Sequence, residues 1–372
     1  MKILHIHHSL LFGGIESLLC GLVNEQSKRN DVTLCTWFVI NKEEGLEPLI
    51  SKRVNRISLN NKCLDAKTKL TNILKLYRVI RRGNYDVVNV HNNFNYYILS
   101  ILLLKKKIKF FYTIHSDAVR ENGPLSGKTL FIKRLFFKKR WIIPITISPQ
   151  SQQSFFNLYH CDSYMILNGI RRPEVKFNSN ELNKYKINPA TRVFVHIGRI
   201  CLAKNQVTLC KTFKRLIQEG YDIMLLIIGP REDETIWMDL QPYFSDRIIF
   251  VGPRNDATMF LIDADAMCLP SVYEGLPITL LESIALGCVP ICSPVGGIPT
   301  VVKNGYNGIL SDSSSEIDYY ETMKRFLTTP IQEIETMKRN AILSFEKYDV
   351  SEVAKKYENT YQTEINYGKP EL

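Results

Sequence analysis

Glu274 and Glu282 stand in the most chemically informative stretch of the chain, Leu269-Pro-Ser-Val-Tyr-Glu-Gly-Leu-Pro-Ile-Thr-Leu-Leu-Glu282. The pattern runs from an apolar strand end, through a glycine turn, into a helix whose first turn carries Pro277. The N–H that proline lacks has no partner at that position, so it is well tolerated. The backbone N–H groups of Gly275 and Leu276 are then expected to face an anion, which the helix dipole favours. Glu282 falls one to two turns into the helix. A carboxylate there cannot help a phosphate, so its expected partner is a pair of neutral hydroxyls, such as those of a ribose. Glu274, at the strand end, would accept hydrogen bonds from a sugar or orient a departing group. Read singly, Glu282 is an exposed helix residue and Glu274 a capping acid. The glycine, proline and strand around them argue for a site.

A second constellation is Phe194-Val-His-Ile-Gly-Arg-Ile-Cys-Leu-Ala-Lys-Asn205. A strand ends at Gly198, Arg199 follows, and Lys204 comes five residues later, just before the next helix. Two cations at the lip of a strand suit a diphosphate, Arg as a planar fork and Lys as a point charge. If the diphosphate departs, they stabilise the charge it gains. Near the N-terminus, Leu11-Phe-Gly-Gly-Ile-Glu16 follows a strand and opens a helix, so Gly13 and Gly14 would let backbone approach a phosphate closely. His115, in Thr113-Ile-His-Ser-Asp117, ends another strand and either contacts a transferred sugar or is a satisfied structural histidine. His5, His7 and His8 read as structural, because no third metal ligand follows at useful spacing. Asp263-Ala-Asp265 matches a metal-holding DxD pattern, but it closes a helix before a strand. No metal or cofactor is expected.

The elements that would position these residues alternate strand and helix. Strands are expected at Lys2–His7, Asp31–Ile40, Asp86–His91, Lys109–Ile114, Ile142–Ile147 and Tyr164–Leu167. Helical patterns lie between them, at about 15–28, 67–82, 95–105, 127–139 and 149–158. Near-continuous apolar strands suit a parallel sheet covered on both faces. A polar stretch at 171–190, with Pro173 and Asn188-Pro189, reads as a linker. The alternation then restarts with strands at Arg192–Ile197, Ile223–Ile228, Arg247–Val251, Ala266–Leu269 and Val289–Cys292. Helices are expected near 205–219, 232–242, 256–263 and 277–286, and three more close the chain at 315–327, 331–346 and 350–366. The expected organisation is α/β, with a first doubly wound domain over 1–170, a second over 191–350, and a C-terminal helix in 351–372 packing back toward the first. Ligands of such sheets bind at the carboxyl ends of strands.

Composition narrows the class. A chain of 372 residues with 45% hydrophobic and 23% charged residues has enough to bury two cores. Nine scattered cysteines without a CxxC pair fit a reduced, cytoplasmic compartment. His5, His7 and His8 interrupt the opening apolar stretch, so no secretory leader is expected. No run reaches the roughly 20 apolar residues that span a bilayer. Residues 1–165 hold 25 Lys/Arg against 11 Asp/Glu, whereas residues 166–372 hold 23 against 26. A basic first half implies an anionic partner or a merely solvated surface. No recognised nucleic-acid motif accompanies the charge, so nucleic acid is not expected.

With those residues in place, the sequence resembles glycosyltransferase family 4, the glycosyl transferases of group 1. The resemblance is strongest over about 190–310. It rests on His-Ile-Gly-Arg199, Lys204-Asn205, Leu-Pro-Ser271, Glu274 with Glu282, Ala-Leu-Gly287-Cys-Val-Pro290 and Gly296-Gly297-Ile-Pro299. Gly13-Gly14, Glu16, His115 and Asn168-Gly169 extend it into the first half. It implies a GT-B fold of two Rossmann-like domains facing each other across a cleft, the second binding donor and the first acceptor. It also implies retention of anomeric configuration without a required metal. By the same carry-over, Gly198, Arg199 and Lys204 lie at the donor diphosphate, and Gly275 and Leu276 bind its phosphates through their backbone. Glu282 takes the ribose and Glu274 the donor sugar. Gly13 and Gly14 approach the diphosphate, and His115 lies beside the transferred sugar.

The expected donor is a nucleotide sugar, UDP by family default. The expected acceptor is a glycan or polyprenyl-diphosphate-linked hydroxyl of cell-surface polysaccharide assembly, with no acceptor residue assigned. Lys105–Lys107 and the basic, apolar stretch Ser126–Trp141 suit a peripheral place on an anionic membrane surface, the inner face of the cell membrane. A GT-B epimerase or phosphorylase is the alternative enzyme, and a basic nucleic-acid-binding protein the alternative from another class.

Overall fold

The computed structural model describes residues 1–11, 13–38, 45–61, 66–91, 108–119, 127–174 and 182–367. The chain divides into two compact units: Met1–Arg171 together with Asp349–Leu372, and Arg172–Tyr348. The described residues of the polar stretch after Arg171 therefore group with the second unit. The helix expected at 95–105 and Lys105–Lys107 lie outside the described residues.

The first unit is built on a seven-stranded sheet: β1 (Lys2–His7), β2 (Asp31–Phe38), β3 (Asn55–Asn61), β4 (Val87–Val90), β5 (Lys109–Ile114), β6 (Ile143–Thr146) and β7 (Tyr164–Met165). Their spatial order is β3-β2-β1-β4-β5-β6-β7, and every pairing is parallel. Parallel strands need crossovers, and helices such as Gly14–Gln26 and Pro149–Tyr159 supply them. Sequence patterning does not reveal β3. It is an edge strand in which Ile57 and Leu59 alternate with polar residues, so it lacks the apolar run that marks the buried strands.

The closing helix, Val350–Asn366, belongs to this unit. Asp349 caps it by accepting from Ser351 N at 2.8 Å. Val353, Tyr357 and Tyr361 recur at helical spacing and are buried with Ile3, Val87 and Phe111 of the sheet. The Tyr361 and Phe111 rings lie 4.7 Å apart, and Arg29 binds Glu358 at 3.0 Å.

The second unit carries β8 (Arg192–Ile197), β9 (Ile223–Ile228), β10 (Ile248–Gly252), β11 (Ala266–Leu269), β12 (Pro290–Cys292) and β13 (Ile309–Leu310). Their order is β10-β9-β8-β11-β12-β13, again parallel throughout. β9 is buried along its whole length, because helices cover both faces of the sheet. Two-residue β13 at the edge is too short to show in sequence. Each sheet changes direction once, at β1/β4 and at β8/β11. In doubly wound sheets the crevice at such a switch point, at the carboxyl ends of the strands, is where ligands bind.

No helix among the described residues is long and apolar enough to cross a membrane. The eight described cysteines are all free thiols.

Candidate functional site

In the second unit the carboxyl ends of β8 and β11 gather the residues singled out in sequence. Gly198 follows β8 and donates its N–H to Ile228 O at 2.9 Å. Gly229 packs directly on it: a Cβ there would lie 2.0 Å from Gly198 O, and φ of +149° suits only glycine. The short 3-10 turn Leu202–Lys204 then aims Lys204 back across the strand end. That turn is tied to β11 by Val272 N donating to Ala203 O at 3.0 Å and Asn205 Nδ2 donating to Pro270 O at 3.1 Å.

The result is an ion pair. Lys204 Nζ lies 2.6 Å from Glu274 Oε1, with side-chain exposures of 15% and 9%. Ser271 Oγ donates to the same oxygen at 2.7 Å. The cation expected at a phosphate and the carboxylate expected at a sugar thus hold each other, a pairing invisible in a sequence that separates them by 70 residues. Arg199 is placed differently. Its guanidinium, 60% exposed, pairs with Glu232 rather than standing as an isolated cation.

The loop that carries Glu274 and Gly275 rests on the turn after β12. Gly296 has φ of +60°, and a Cβ on it would meet Glu274 O at 2.0 Å. Gly297 donates its N–H to Gly275 O. The two glycines shape this loop because only backbone without side chains fits beneath it. In the sequence Gly296 and Gly297 show only as part of a motif; what they support is visible only in the fold. Pro277 is the residue before the helix Ile278–Leu286, not its first member, and no side chain caps that helix start.

Glu282 is not the exposed helix residue of the plainest reading. It is half-buried, and burial alone, with no hydrogen bond or nearby charge among the described residues, acts on its carboxyl. Desolvation by burial pushes its pKa up to about 7. One turn earlier, the buried hydroxyl of Thr279 also lacks a hydrogen-bond partner among the described residues. Two underused polar groups on one helix face mark a place for a polar ligand. Asp265, by contrast, is fully committed: it accepts from Val193 N at 2.8 Å and from Arg192 Nε at 3.2 Å, joining β8 to β11. Among the described residues no group of three or more His, Cys, Asp or Glu is arranged to hold a metal ion.

In the first unit, Gly13 and Gly14 are exposed at the start of the helix Gly14–Gln26. The Glu16 carboxylate folds back over Gly13 and binds His7 Nε2 at 3.1 Å. Burial works against ionisation of Glu16, but the hydrogen bond and charge of His7 outweigh it and hold the carboxyl below its usual range. His115 sits just past β5 and is joined to His91, just past β4, at 3.0 Å. His91 reaches His5 on β1 at 2.9 Å, and His5 reaches Gln26 at 2.8 Å. His91 and Gln26 were not singled out in sequence. Nothing in their local spacing signals a partner that lies across the sheet.

Two parallel, doubly wound sheets with polar groups gathered at their switch points define an α/β ligand-binding class. The family model for glycosyl transferases group 1 matches residues 178–343, and that for glycosyltransferase family 4 matches residues 12–172. The chain belongs to this glycosyltransferase family, and its two units have the GT-B type of fold.

It is similar to the N-acetyl-alpha-D-glucosaminyl L-malate synthase of Bacillus anthracis, 24% identical over 245 residues. The match spans 64% of this chain and 64% of that relative's length, a little under two thirds. It is also similar to an Escherichia coli UDP-Gal:alpha-D-GlcNAc-diphosphoundecaprenol alpha-1,3-galactosyltransferase, 24% identical over 335 residues, covering 83% of this chain and 84% of the relative. Among solved structures, Anabaena HepE in complex with UDP and glucose superposes with a TM-score of 0.79 at 17% identity, covering 98% of this chain and all of that one. A Rickettsia africae glycosyltransferase superposes with a TM-score of 0.81 at 15% identity, covering 99% of each chain.

Proposed function

We propose that this chain is a retaining glycosyltransferase that moves a sugar from a nucleotide sugar, with UDP as the first choice of nucleotide, to a hydroxyl of a glycan or polyprenyl-diphosphate-linked acceptor. The observation that carries the donor assignment is Glu282, a desolvated carboxyl that, like the Thr279 hydroxyl one turn earlier, has no hydrogen-bond partner among the described residues. Ribose hydroxyls would donate to it and offset its burial. Arg199 and Lys204 are assigned to the diphosphate, with Gly198 and the backbone of Gly275 and Leu276. Glu274, oriented by Lys204 and Ser271, is assigned to the donor sugar. Gly13 and Gly14 are assigned to a phosphate and His115 to a transferred sugar, as the family resemblance implies.

In the proposed reaction the acceptor hydroxyl attacks from the face the nucleoside diphosphate leaves. The anomeric C–O bond to phosphate breaks, the new glycosidic bond forms, and the departing phosphate oxygen takes the acceptor's proton. Cations at the diphosphate stabilise the charge developing there. No metal is assigned, and Asp265 is already occupied by Val193 and Arg192.

A thermal-shift and hydrolysis screen across UDP-, GDP- and ADP-sugars, followed by acceptor trials, tests the reading. Donor affinity unchanged in Glu282→Ala would remove the ribose assignment. A changed nucleotide sugar formed without acceptor would point instead to an epimerase.

Peripheral membrane binding belongs to the same proposal. The helix Gly127–Lys138 and the residues after it expose Phe131, Ile132, Leu135 and Trp141 next to Arg134, Lys138 and Lys139. Apolar side chains beside cations suit an anionic lipid surface. Lys133 is only 2% exposed and takes no part in that face. Flotation with anionic liposomes at low salt should carry the protein upward, and Glu at positions 134, 138 and 139 should abolish it.

A further inference from the structure

The two cations assigned to the donor diphosphate are each held by a carboxylate, and the two carboxylates differ in freedom. We propose that Glu232 is a displaceable internal anion: it neutralises Arg199 when no donor is bound, and the donor diphosphate takes its place there. This rests on the proposed assignment of Arg199 and Lys204 to that diphosphate.

Charge decides which partner yields. Lys204 pairs with Glu274 and Arg199 with Glu232, so the two cations together bring no net charge to the strand ends. A dianionic diphosphate brought to both cations would meet both carboxylates as well, and like charges at contact distance repel. One carboxylate has to give way. Glu274 is poorly placed to do so, because its side chain is 9% exposed and its Oε1 also takes Ser271 Oγ at 2.7 Å. Moving Lys204 off it would strand a nearly buried charge. Glu232 is 46% exposed. Water can solvate its carboxylate as it leaves, so this pair is the cheaper one to open.

The backbone keeps Glu232 beside Arg199. Ile200, directly after Arg199, donates its N–H to Pro230 O at 2.9 Å. Its carbonyl accepts from Asp233 N at 3.0 Å and Glu232 N at 3.3 Å. These bonds join the turn after β8 to the turn after β9, where Gly229 already packs on Gly198 without room for a Cβ. Asp233 then caps the helix Glu234–Leu240, accepting from Thr235 N at 3.0 Å and Ile236 N at 3.2 Å. A carboxylate carried on so fixed a backbone returns to Arg199 once the diphosphate leaves. Glu232 thereby loosens the hold on the nucleoside diphosphate product and favours its release.

Calorimetric titration of the full chain with UDP, GDP and ADP reads this as a double-mutant cycle. Glu232→Gln should tighten binding of the nucleotide that the wild type prefers by about fivefold, the worth of a well-placed exposed ion pair. Arg199→Gln should weaken it. Glu232→Gln added to Arg199→Gln should change nothing further, because the carboxylate acts through that guanidinium. Glu234→Gln removes an exposed charge two residues along and should leave affinity as it is. Arg199 and Glu232 are both exposed, so neither substitution threatens the fold. Weaker or unchanged binding in Glu232→Gln overturns the proposal. So does tightening that persists without Arg199 or that Glu234→Gln matches. If Arg199→Gln binds as the wild type does, or the wild type binds none of the three nucleotides, the diphosphate assignment itself fails and Glu232 loses its role with it.

Discussion

Glu282 shows how a single group would couple the proposed donor site to pH. Its folded-state pKa of about 7 lies above the ordinary 4.5 of a glutamate. The native chain therefore holds a proton that the unfolded chain releases, and the group's contribution to stability falls as pH rises from about 4.5 to about 7. Glu282→Gln should be stabilised relative to the wild type at pH 8 by up to about 3 kcal/mol, with the gap closing near pH 4. Urea unfolding at the two pH values measures it. Ribose hydroxyls favour the charged carboxylate, so the affinity advantage of the wild type over Glu282→Gln for UDP should grow from pH 6 to pH 8. Calorimetric titration of both proteins would show this, and an advantage independent of pH would count against ribose at Glu282. The Lys204–Glu274 pair behaves differently because each charge already has its partner. Lys204→Met leaves a carboxylate nearly buried and unpaired, and should cost about 2–4 kcal/mol. The double variant Lys204→Met with Glu274→Gln should recover part of that loss in a double-mutant cycle.

At the level of elements, the site depends on one loop seated on another. Gly296 lies beneath the Glu274 carbonyl with a positive φ, so Gly296→Ala adds a steric clash to the cost of left-handed backbone. Gly305 provides the control: its φ is +74°, but nothing lies within 4 Å of an added Cβ. Gly305→Ala should cost about 1 kcal/mol, the backbone penalty alone. Gly296→Ala should cost more than twice that and displace Glu274 and Gly275, with loss of donor turnover. Denaturant unfolding and a donor assay on both variants separate the two effects. The switch points β1/β4 and β8/β11 explain why such loops matter, since both sheets open there at their carboxyl ends.

Across the molecule, buried neutral histidines are spread unevenly. His5, His91 and His115 lie in the first unit and His196 in the second, where its Nδ1 bonds Cys268 O and burial lowers its pKa to about 4. All four have folded-state values below the unfolded 6.5. Their contribution is fully present above about pH 6.5 and is lost as pH falls through the folded values. Each costs the fold roughly 1.4 kcal/mol per pH unit on the way down. The first unit, with three, should lose stability faster than the second. Scanning calorimetry between pH 7 and pH 4.5 should show a transition that broadens or splits, the first unit melting earlier. A single transition moving as a whole would contradict that imbalance.

The amino-acid sequence by itself determined the two runs of alternating strand and helix, because continuous apolar strands and amphipathic helices write their periods locally. It also marked Gly198, Lys204 and Glu274 beyond strand ends and Glu282 in the helix that follows, where residue type and position are both local. It did not reveal β3 or β13, edge strands too polar or too short to leave a period. Tertiary structure alone decided the partners. Lys204 meets Glu274, Arg199 meets Glu232, and Gly296 supports Glu274, each across tens of residues. His115 gains His91, His5 and Gln26 for the same reason: parallel strands distant in sequence lie side by side, and hydrogen bonds run across the sheet rather than along the chain.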